Sequence, residues 1–142
     1  MLPVGRNDSA VEYGTPRRVA PVRPLAVLCA EDNPYGRVIL NTILTELGHR
    51  ADFVSSGEEA VAAMTRGYDV VLMDVVLPGI DGLEATRRIR ALADPRRRTP
   101  VIGLSGGTGT AEEPAARAAG MDFYLRKPVS ASALAEALAA VT

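Results

Sequence analysis

The sequence has few of the features that mark secreted, membrane or nucleic-acid-binding proteins. Its 142 residues include a single cysteine, Cys29, which cannot form an internal disulfide. There is no run of about 18 apolar residues to cross a bilayer, and the first residues lack the continuous apolar core of a signal peptide. The 16 basic and 17 acidic residues leave a formal net charge of −1, which gives no general attraction to nucleic acid or anionic lipid. We therefore expect a cytoplasmic protein that contacts neither nucleic acid nor membrane.

Length and composition favour one folded domain preceded by a short N-terminal segment. A chain of 142 residues, 47% of them hydrophobic, has the usual size of a single domain and enough apolar surface to fold. Residues 1–24 contain four prolines and four arginines without sustained periodicity, which predicts a flexible linker. Residues 25–142 are expected to form the domain.

From Leu25 onward, a short apolar run followed by a loop and a stretch of helical period occurs five times. The apolar runs span residues 25–29, 51–54, 70–73, 101–104 and 123–125. Strands that alternate with helices through short loops predict right-handed crossovers and a parallel sheet covered on both faces. The expected fold is a three-layer α/β architecture of the flavodoxin-like class, with five helices and five strands in the order 2-1-3-4-5.

In that strand order, ligands bind beyond the carboxyl ends of strands 1 and 3. Glu31 and Asp32 follow strand 1, and strand 3 ends on Asp74. Asp32 taken alone could equally cap the helix that begins near Pro34. Asp74 would lie at the end of a buried strand beside two other acids, so a positive charge must compensate it. A divalent cation such as Mg²⁺ and a lysine are the candidates.

Lys127 and Ser105 are predicted at the same edge of the sheet. Lys127 is the only lysine among the 16 basic residues, and it follows strand 5. A compact ammonium suits contact with an oxyanion, whereas the alternative interpretation is an ordinary surface lysine. Ser105 ends strand 4 on the same edge. A hydroxyl, an ammonium, a metal site and a nucleophilic carboxylate together are the components of phosphoryl transfer.

These segments resemble the receiver domain of response regulators in two-component signalling. The resemblance is carried by the strand before Glu31 and Asp32, the block LMDVVLPGIDG at 72–82, the strand ending in Ser105, and the block YLRKP at 124–128. It covers residues 25–142. The N-terminal segment and the block GLEATRRIR at 82–90 are most similar to receivers of hybrid sensor histidine kinases.

The resemblance assigns a role to each matching residue. Asp74 would be the phosphoacceptor, Lys127 and Ser105 would contact the phosphoryl group, and Ser105 and Tyr124 would form the switch. The bond before Pro128 would be cis. The implied Mg²⁺ ligands are Glu31, Asp32, Asp74 and the backbone carbonyl of Val76.

The implied function is to take a phosphoryl group onto Asp74 from the phosphohistidine of a histidine kinase or histidine phosphotransfer domain. Phosphorylation would then switch a partner-binding surface on helix 4, strand 5 and helix 5. The domain alone would catalyse only its own Mg²⁺-dependent phosphorylation and dephosphorylation, and a weak homodimer is compatible with this function. With one helix after Lys127, the chain is expected to be a single-domain regulator or the last domain of a longer protein, which would be a histidine kinase if that protein is a hybrid sensor.

Three other functions compete with this interpretation. A pseudo-receiver would bind partners without chemistry, but the complete set of acids, lysine and hydroxyl argues against it. A phosphohydrolase with Asp74 as nucleophile, of the haloacid dehalogenase type, needs a second acid where Val76 stands. A flavin carrier would find its phosphate repelled by Glu31 and Asp32.

Overall fold

One parallel sheet forms the centre of the computed structural model, which describes residues 23–93, 95–107 and 112–142. Its strands are β1 (Ala26–Ala30), β2 (Arg50–Val54), β3 (Val70–Asp74), β4 (Val101–Ser105) and β5 (Phe123–Arg126). They lie in the order β2-β1-β3-β4-β5, and every neighbouring pair is parallel. The predicted fold class and strand order are confirmed.

Helices cover both faces of the sheet. The α-helices of the described residues are α1 (Pro34–Glu46), α2 (Gly57–Ala63), α3 (Gly82–Arg90), α4 (Glu112–Ala119) and α5 (Ala131–Val141). Single 3₁₀ turns lie at Met64–Arg66 and Pro95–Arg98.

Polar side chains set the beginning of four of these helices. The N-cap residues, whose side chains accept hydrogen bonds from backbone N–H groups of the first turn, are Asn33, Ser56, Asp81 and Ser130. Such caps satisfy N–H groups that have no partner within the helix. Asn33 and not Asp32 therefore caps α1, which leaves the Asp32 carboxylate without the capping role that the sequence allowed.

The core lies in two layers, one on each face of the sheet. Every residue of β3 and β4 is buried, as continuous apolar runs predict for strands covered on both faces. Ala60, Ala85 and Ala116 of α2, α3 and α4 belong to one core cluster. Leu44 of α1 and Leu134 of α5 belong to the other. This packing holds β1 and β3 side by side at the centre, so their carboxyl ends open on a common edge.

Only residues 23 and 24 of the predicted linker lie within the described part of the chain. There the Arg23 guanidinium lies 3.4 Å from Asp69 Oδ1, and the backbone N–H of Ala26 donates to Asp69 Oδ2 at 2.8 Å. The linker prediction otherwise falls outside the described residues. Among the helices described, none has the length and apolar character needed to cross a membrane.

Candidate functional site

Three carboxylates meet at the carboxyl edge of the sheet. The side chains of Glu31, Asp32 and Asp74 each offer an oxygen, and these oxygens lie within 4.8 Å of one another. Ala30 of β1 is in register with Met73 of β3, so the residues that follow them lie on adjacent strand ends. Glu31 and Asp74 are buried, whereas Asp32 is exposed. Like charges this close repel one another unless a cation compensates them.

Lys127 supplies one compensating charge. Its Nζ donates hydrogen bonds to Glu31 Oε1 at 2.7 Å and to Asp74 Oδ2 at 2.6 Å. The backbone N–H of Lys127 donates to the Ser105 carbonyl at 2.7 Å, and the Lys127–Pro128 peptide bond is cis. The only lysine is thus held against two of the three acids, and it is not an ordinary surface residue.

The two ionisable groups of this ion pair both have raised pKa values. Burial raises the pKa of Asp74, and the charge of Glu31 acts in the same direction; hydrogen bonds from Lys127 and the Val76 N–H oppose this without cancelling it. Burial lowers the pKa of Lys127, but hydrogen bonds and charge from Asp74 and Glu31 outweigh it, so the pKa lies above its ordinary value. The two shifts have different leading causes: burial raises the pKa of Asp74, whereas the two neighbouring carboxylates raise that of Lys127.

The chain after β3 fixes the Asp74 carboxylate. Its Oδ1 accepts a hydrogen bond from the Val76 N–H at 3.1 Å. Gly82, the first residue of α3, packs so closely on the strand end that a Cβ there would lie 2.1 Å from the Asp74 carbonyl oxygen. Glycine at this position is required by that approach of two backbones.

Ser105 and Tyr124 contact a common residue that the sequence analysis does not single out. Ser105 is buried at the end of β4, and its hydroxyl donates to Glu112 Oε1 and accepts from the Gly107 N–H at 3.0 Å. The Tyr124 hydroxyl, on the neighbouring strand β5, donates to the same Oε1. The only sequence signal for Glu112 is its place in an acidic pair at the start of α4. That pattern predicts a helix N-terminus and carries no information on distant hydroxyl groups.

The donor set fits a magnesium ion. Three carboxylates around one point, with Asp32 open to solvent, suit a cation that prefers oxygen ligands and keeps several of its waters. The Val76 carbonyl stays a predicted ligand. The Val76 side chain is 73% exposed at the rim of the site.

Fold and site together define an α/β protein with two buried acids, one exposed acid and a lysine at the carboxyl edge of its sheet. Residues 27–139 match the response regulator receiver domain family. The chain belongs to this family, as the resemblance of its motifs implied.

Curated relatives include sensor kinases and a transcriptional regulator. The chain is 38% identical over 113 residues to the sensor protein GacS of Pseudomonas syringae pv. syringae, an alignment that covers 78% of this chain and 12% of that protein. It is 38% identical over 130 residues to the transcriptional regulatory protein TcrA of Mycobacterium tuberculosis, covering 91% of this chain and 50% of that protein. The chain thus spans half or less of the length of these relatives.

Solved structures of receiver domains are similar throughout the fold. The receiver domain of a sensor histidine kinase from Pseudomonas aeruginosa, which has a magnesium ion coordinated in its active site cleft, is 36% identical with a TM-score of 0.77. That alignment covers 83% of this chain and 97% of that one. A response regulator receiver domain from Methylobacillus flagellatus is 32% identical with a TM-score of 0.72, covering 84% and 99% of the two chains.

Proposed function

We propose that Asp74 receives a phosphoryl group from a phosphohistidine on a histidine kinase or histidine phosphotransfer domain. The observation that carries this proposal is the surroundings of Asp74. It is a buried acid at the end of a central strand. Its Oδ2 accepts a hydrogen bond from Lys127 Nζ at 2.6 Å, and its carboxylate lies close to those of Glu31 and Asp32. The membership of the receiver family supports it.

The chemistry is a direct transfer between two nucleophiles. A carboxylate oxygen of Asp74 attacks phosphorus, the phosphorus–nitrogen bond of the phosphohistidine breaks, and the bonding electrons leave with the imidazole. The product is an acyl phosphate on Asp74. Lys127 already contacts the Asp74 carboxylate, so it is positioned to offset the charge that the phosphoryl oxygens bring.

Magnesium is the proposed cofactor. Glu31, Asp32 and Asp74 would hold it, together with the backbone carbonyl of Val76. When bound, the ion supplies positive charge to the phosphoryl oxygens and reduces their repulsion of the Asp74 carboxylate.

Ser105 and Tyr124 are the proposed switch. After transfer, the Ser105 hydroxyl donates to a phosphoryl oxygen, and the end of β4 follows it. Tyr124 then changes its contacts, which alters the surface made by α4, β5 and α5. This is a shift between two populated arrangements rather than a new fold.

The proposed docking surface for the phosphohistidine partner lies on α1. Tyr35, Val38 and Ile39 are apolar and exposed there, at 82%, 65% and 47%. A cleft of about 420 Å³ runs from this helix to Lys127 and Pro128. Because Lys127 also contacts Asp74, a partner helix seated on α1 would bring its phosphohistidine to the nucleophile. An exposed apolar patch beside a reactive group is typical of a transient protein interface.

The wider setting is also a proposal. We favour a receiver within, or working with, a hybrid sensor kinase in the cytoplasm. Similarity to GacS supports the kinase setting. Cys29, buried and unpaired, is in keeping with a reducing compartment.

Intact mass measurement tests the assignment of Asp74. Wild type incubated with Mg²⁺ and acetyl phosphate should gain one phosphoryl group, and Asp74→Asn should gain none. Asp81→Asn is the matched control, because Asp81 is an exposed acid that caps α3 on the same loop, and it should be phosphorylated as wild type is. A comparable adduct on Asp74→Asn would contradict the assignment. An unmodified wild type would favour the pseudo-receiver, and sustained turnover of the donor with no adduct would favour the phosphohydrolase.

A further inference from the structure

Glu112 joins the two members of the proposed switch. It is the first residue of α4, and its Oε1 accepts hydrogen bonds from the hydroxyl groups of both Ser105 and Tyr124. The Gly107 N–H donates to Ser105 Oγ at 3.0 Å, and the Gly107 carbonyl in turn accepts from Arg126 at 3.0 Å. The Ser105 hydroxyl therefore donates to Glu112 and accepts from Gly107.

The number of protons that the two hydroxyl groups can donate limits which acceptors they can contact at one time. A serine hydroxyl has one proton to donate, and so has a tyrosine hydroxyl. In this structure both protons are donated to Glu112. Ser105 cannot donate to a phosphoryl oxygen on Asp74 until it leaves Glu112.

The space that the Glu112 carboxylate occupies exists because residue 107 is glycine. A Cβ at Gly107 would lie 2.9 Å from Glu112 Oε2 and 3.1 Å from Oε1. A side chain at this position would force the Glu112 carboxylate to shift. Hydrogen bonds from Ser105 and Tyr124 hold the pKa of Glu112 below its ordinary value, so its carboxylate is ionised at neutral pH. An ionised acceptor makes a stronger hydrogen bond than a neutral one.

We propose that Glu112 is a positioning residue that competes with the phosphoryl group of Asp74 for the Ser105 hydroxyl. The inference rests on the proposed function, because it requires a phosphoryl group on Asp74. Phosphorylation moves the Ser105 proton donation from Glu112 to the phosphoryl oxygen, and the hydroxyl keeps its proton throughout. Because Tyr124 shares the same acceptor, release of Ser105 changes the surroundings of Tyr124 in the same event. Glu112 thus opposes the phosphorylated state and couples the two switch residues.

Affinity for beryllofluoride, a tetrahedral phosphoryl mimic, measures this competition in the presence of Mg²⁺. Glu112→Ala should raise the affinity on the order of tenfold, because Ser105 no longer has to break a charge-assisted hydrogen bond. In a Ser105→Ala background the same substitution should leave the affinity unchanged. Glu113→Ala is the matched control, since Glu113 lies next in α4 and pairs with Arg117 instead. It should change nothing in either background.

The outcomes separate competition from other roles of Glu112. Equal gains in both backgrounds would mean that Glu112 acts only by repelling the anion, and no gain in either would mean a merely structural role; each result overturns the proposal. Glu112→Gln, which keeps the shape and a weaker acceptor, should give a smaller gain and serves if Glu112→Ala fails to fold. Failure of the wild type to bind the mimic at Asp74 would overturn the proposed function itself.

A second readout follows Tyr124 directly. In ¹³C-tyrosine NMR spectra, assigned with Tyr124→Phe, the Tyr124 ring signal of unphosphorylated Glu112→Ala should move from its wild-type position. The Tyr68 signal should not move, because its hydroxyl donates to Asp52. An unmoved Tyr124 signal would contradict the coupling of the two switch residues through Glu112.

Discussion

The Nζ of Lys127 lies 2.6 Å from Oδ2 of Asp74, although 53 residues separate them in the chain. The contact joins the end of β5 to the end of β3 across β4. The same Nζ lies 2.7 Å from Oε1 of Glu31, so a single lysine places its charge between two buried carboxylates at the sheet edge.

Removal of that cation should cost stability in a pH-dependent way. Lys127→Met leaves Glu31 and Asp74 buried and without a positive partner. We therefore expect the free energy of unfolding at pH 7 to fall by about 2 kcal/mol, which is less than for a fully buried pair because Lys127 is partly exposed. The pKa of Asp74 is already raised by burial and rises further without the lysine. As pH falls through that pKa the carboxylate takes up a proton, so the loss should shrink at acidic pH.

Urea unfolding of wild type, Lys127→Met and Lys127→Arg at pH 7 and pH 4.5 tests this. Lys127→Arg keeps the charge and should recover part of the lost stability, but its planar head group should not restore the phosphorylation rate. If Lys127→Met lowers the free energy of unfolding equally at both pH values, the loss comes from packing and not from charge.

Asp32 should contribute to metal binding and little to folding. Its carboxylate is exposed and does not cap α1. Asp32→Ala should therefore weaken Mg²⁺ binding on the order of tenfold. Without metal, the same substitution should slightly raise the melting temperature, because it removes one of three neighbouring negative charges. Asp81→Ala is the control: it removes a helix cap and should cost about 1 kcal/mol with unchanged Mg²⁺ affinity. Calorimetric titration and thermal unfolding measure both quantities. Wild-type affinity in Asp32→Ala would remove Asp32 from the ligand set.

His49 should make folding stability depend on pH near neutrality. Its Nδ1 accepts a hydrogen bond from the Leu25 N–H at 3.0 Å, and burial lowers its pKa. As pH falls through about 6.5, His49 takes up a proton in the unfolded chain, whereas in the folded protein it does so only at lower pH. The free energy of unfolding therefore decreases over this range.

His49→Asn keeps an acceptor that does not titrate, and its unfolding free energy should fall less than that of wild type between pH 7.5 and pH 5. Because His49 is the only histidine, its NMR titration in the folded protein is unambiguous. Parallel pH curves for the two proteins would show that the imidazole does not cause the dependence.

The phosphorylated form should be comparatively long-lived. Hydrolysis needs a water in line with the bond to Asp74, and a group that orients the water can contribute a large rate factor. Val76 is exposed at the rim and has no polar side chain to do this. Val76→Asn should therefore shorten the half-life of the Asp74 adduct, measured as loss of the phosphoryl mass after removal of the donor. A half-life equal to or longer than that of wild type would show that access of water, not its orientation, limits the rate.

A substitution at Gly107 is a poor test of the same point. A Cβ at that position would lie 2.9 Å from Glu112 Oε2, so any side chain there also disturbs the hydrogen bond that Ser105 donates to Glu112. Val76→Asn leaves that hydrogen bond in place.

Local pattern sufficed for the strands and the three acids that stand at their ends, and the number of strands then selected the fold class and its strand order. Five apolar runs with helical stretches between them define strands and crossovers, because side-chain periodicity repeats over a few neighbouring residues. Asp74 could be found in the sequence because it directly ends such a run. The same local rules allowed Asp32 to be a cap of α1 as readily as a metal ligand. The structure decides against the cap, because the Asn33 side chain accepts from the Tyr35 N–H in that position.

The sequence by itself therefore determined which elements form and which acids stand at their ends. Only the tertiary structure decided the pairing of Lys127 with Glu31, 96 residues away, the hydrogen bond from Leu25 to His49, and the meeting of Ser105 and Tyr124 on Glu112. Each of these contacts depends on the register of neighbouring strands and on the depth of burial, which also sets the direction of each pKa shift. Register and burial arise when the whole sheet closes on its helices, so no short stretch of sequence contains them.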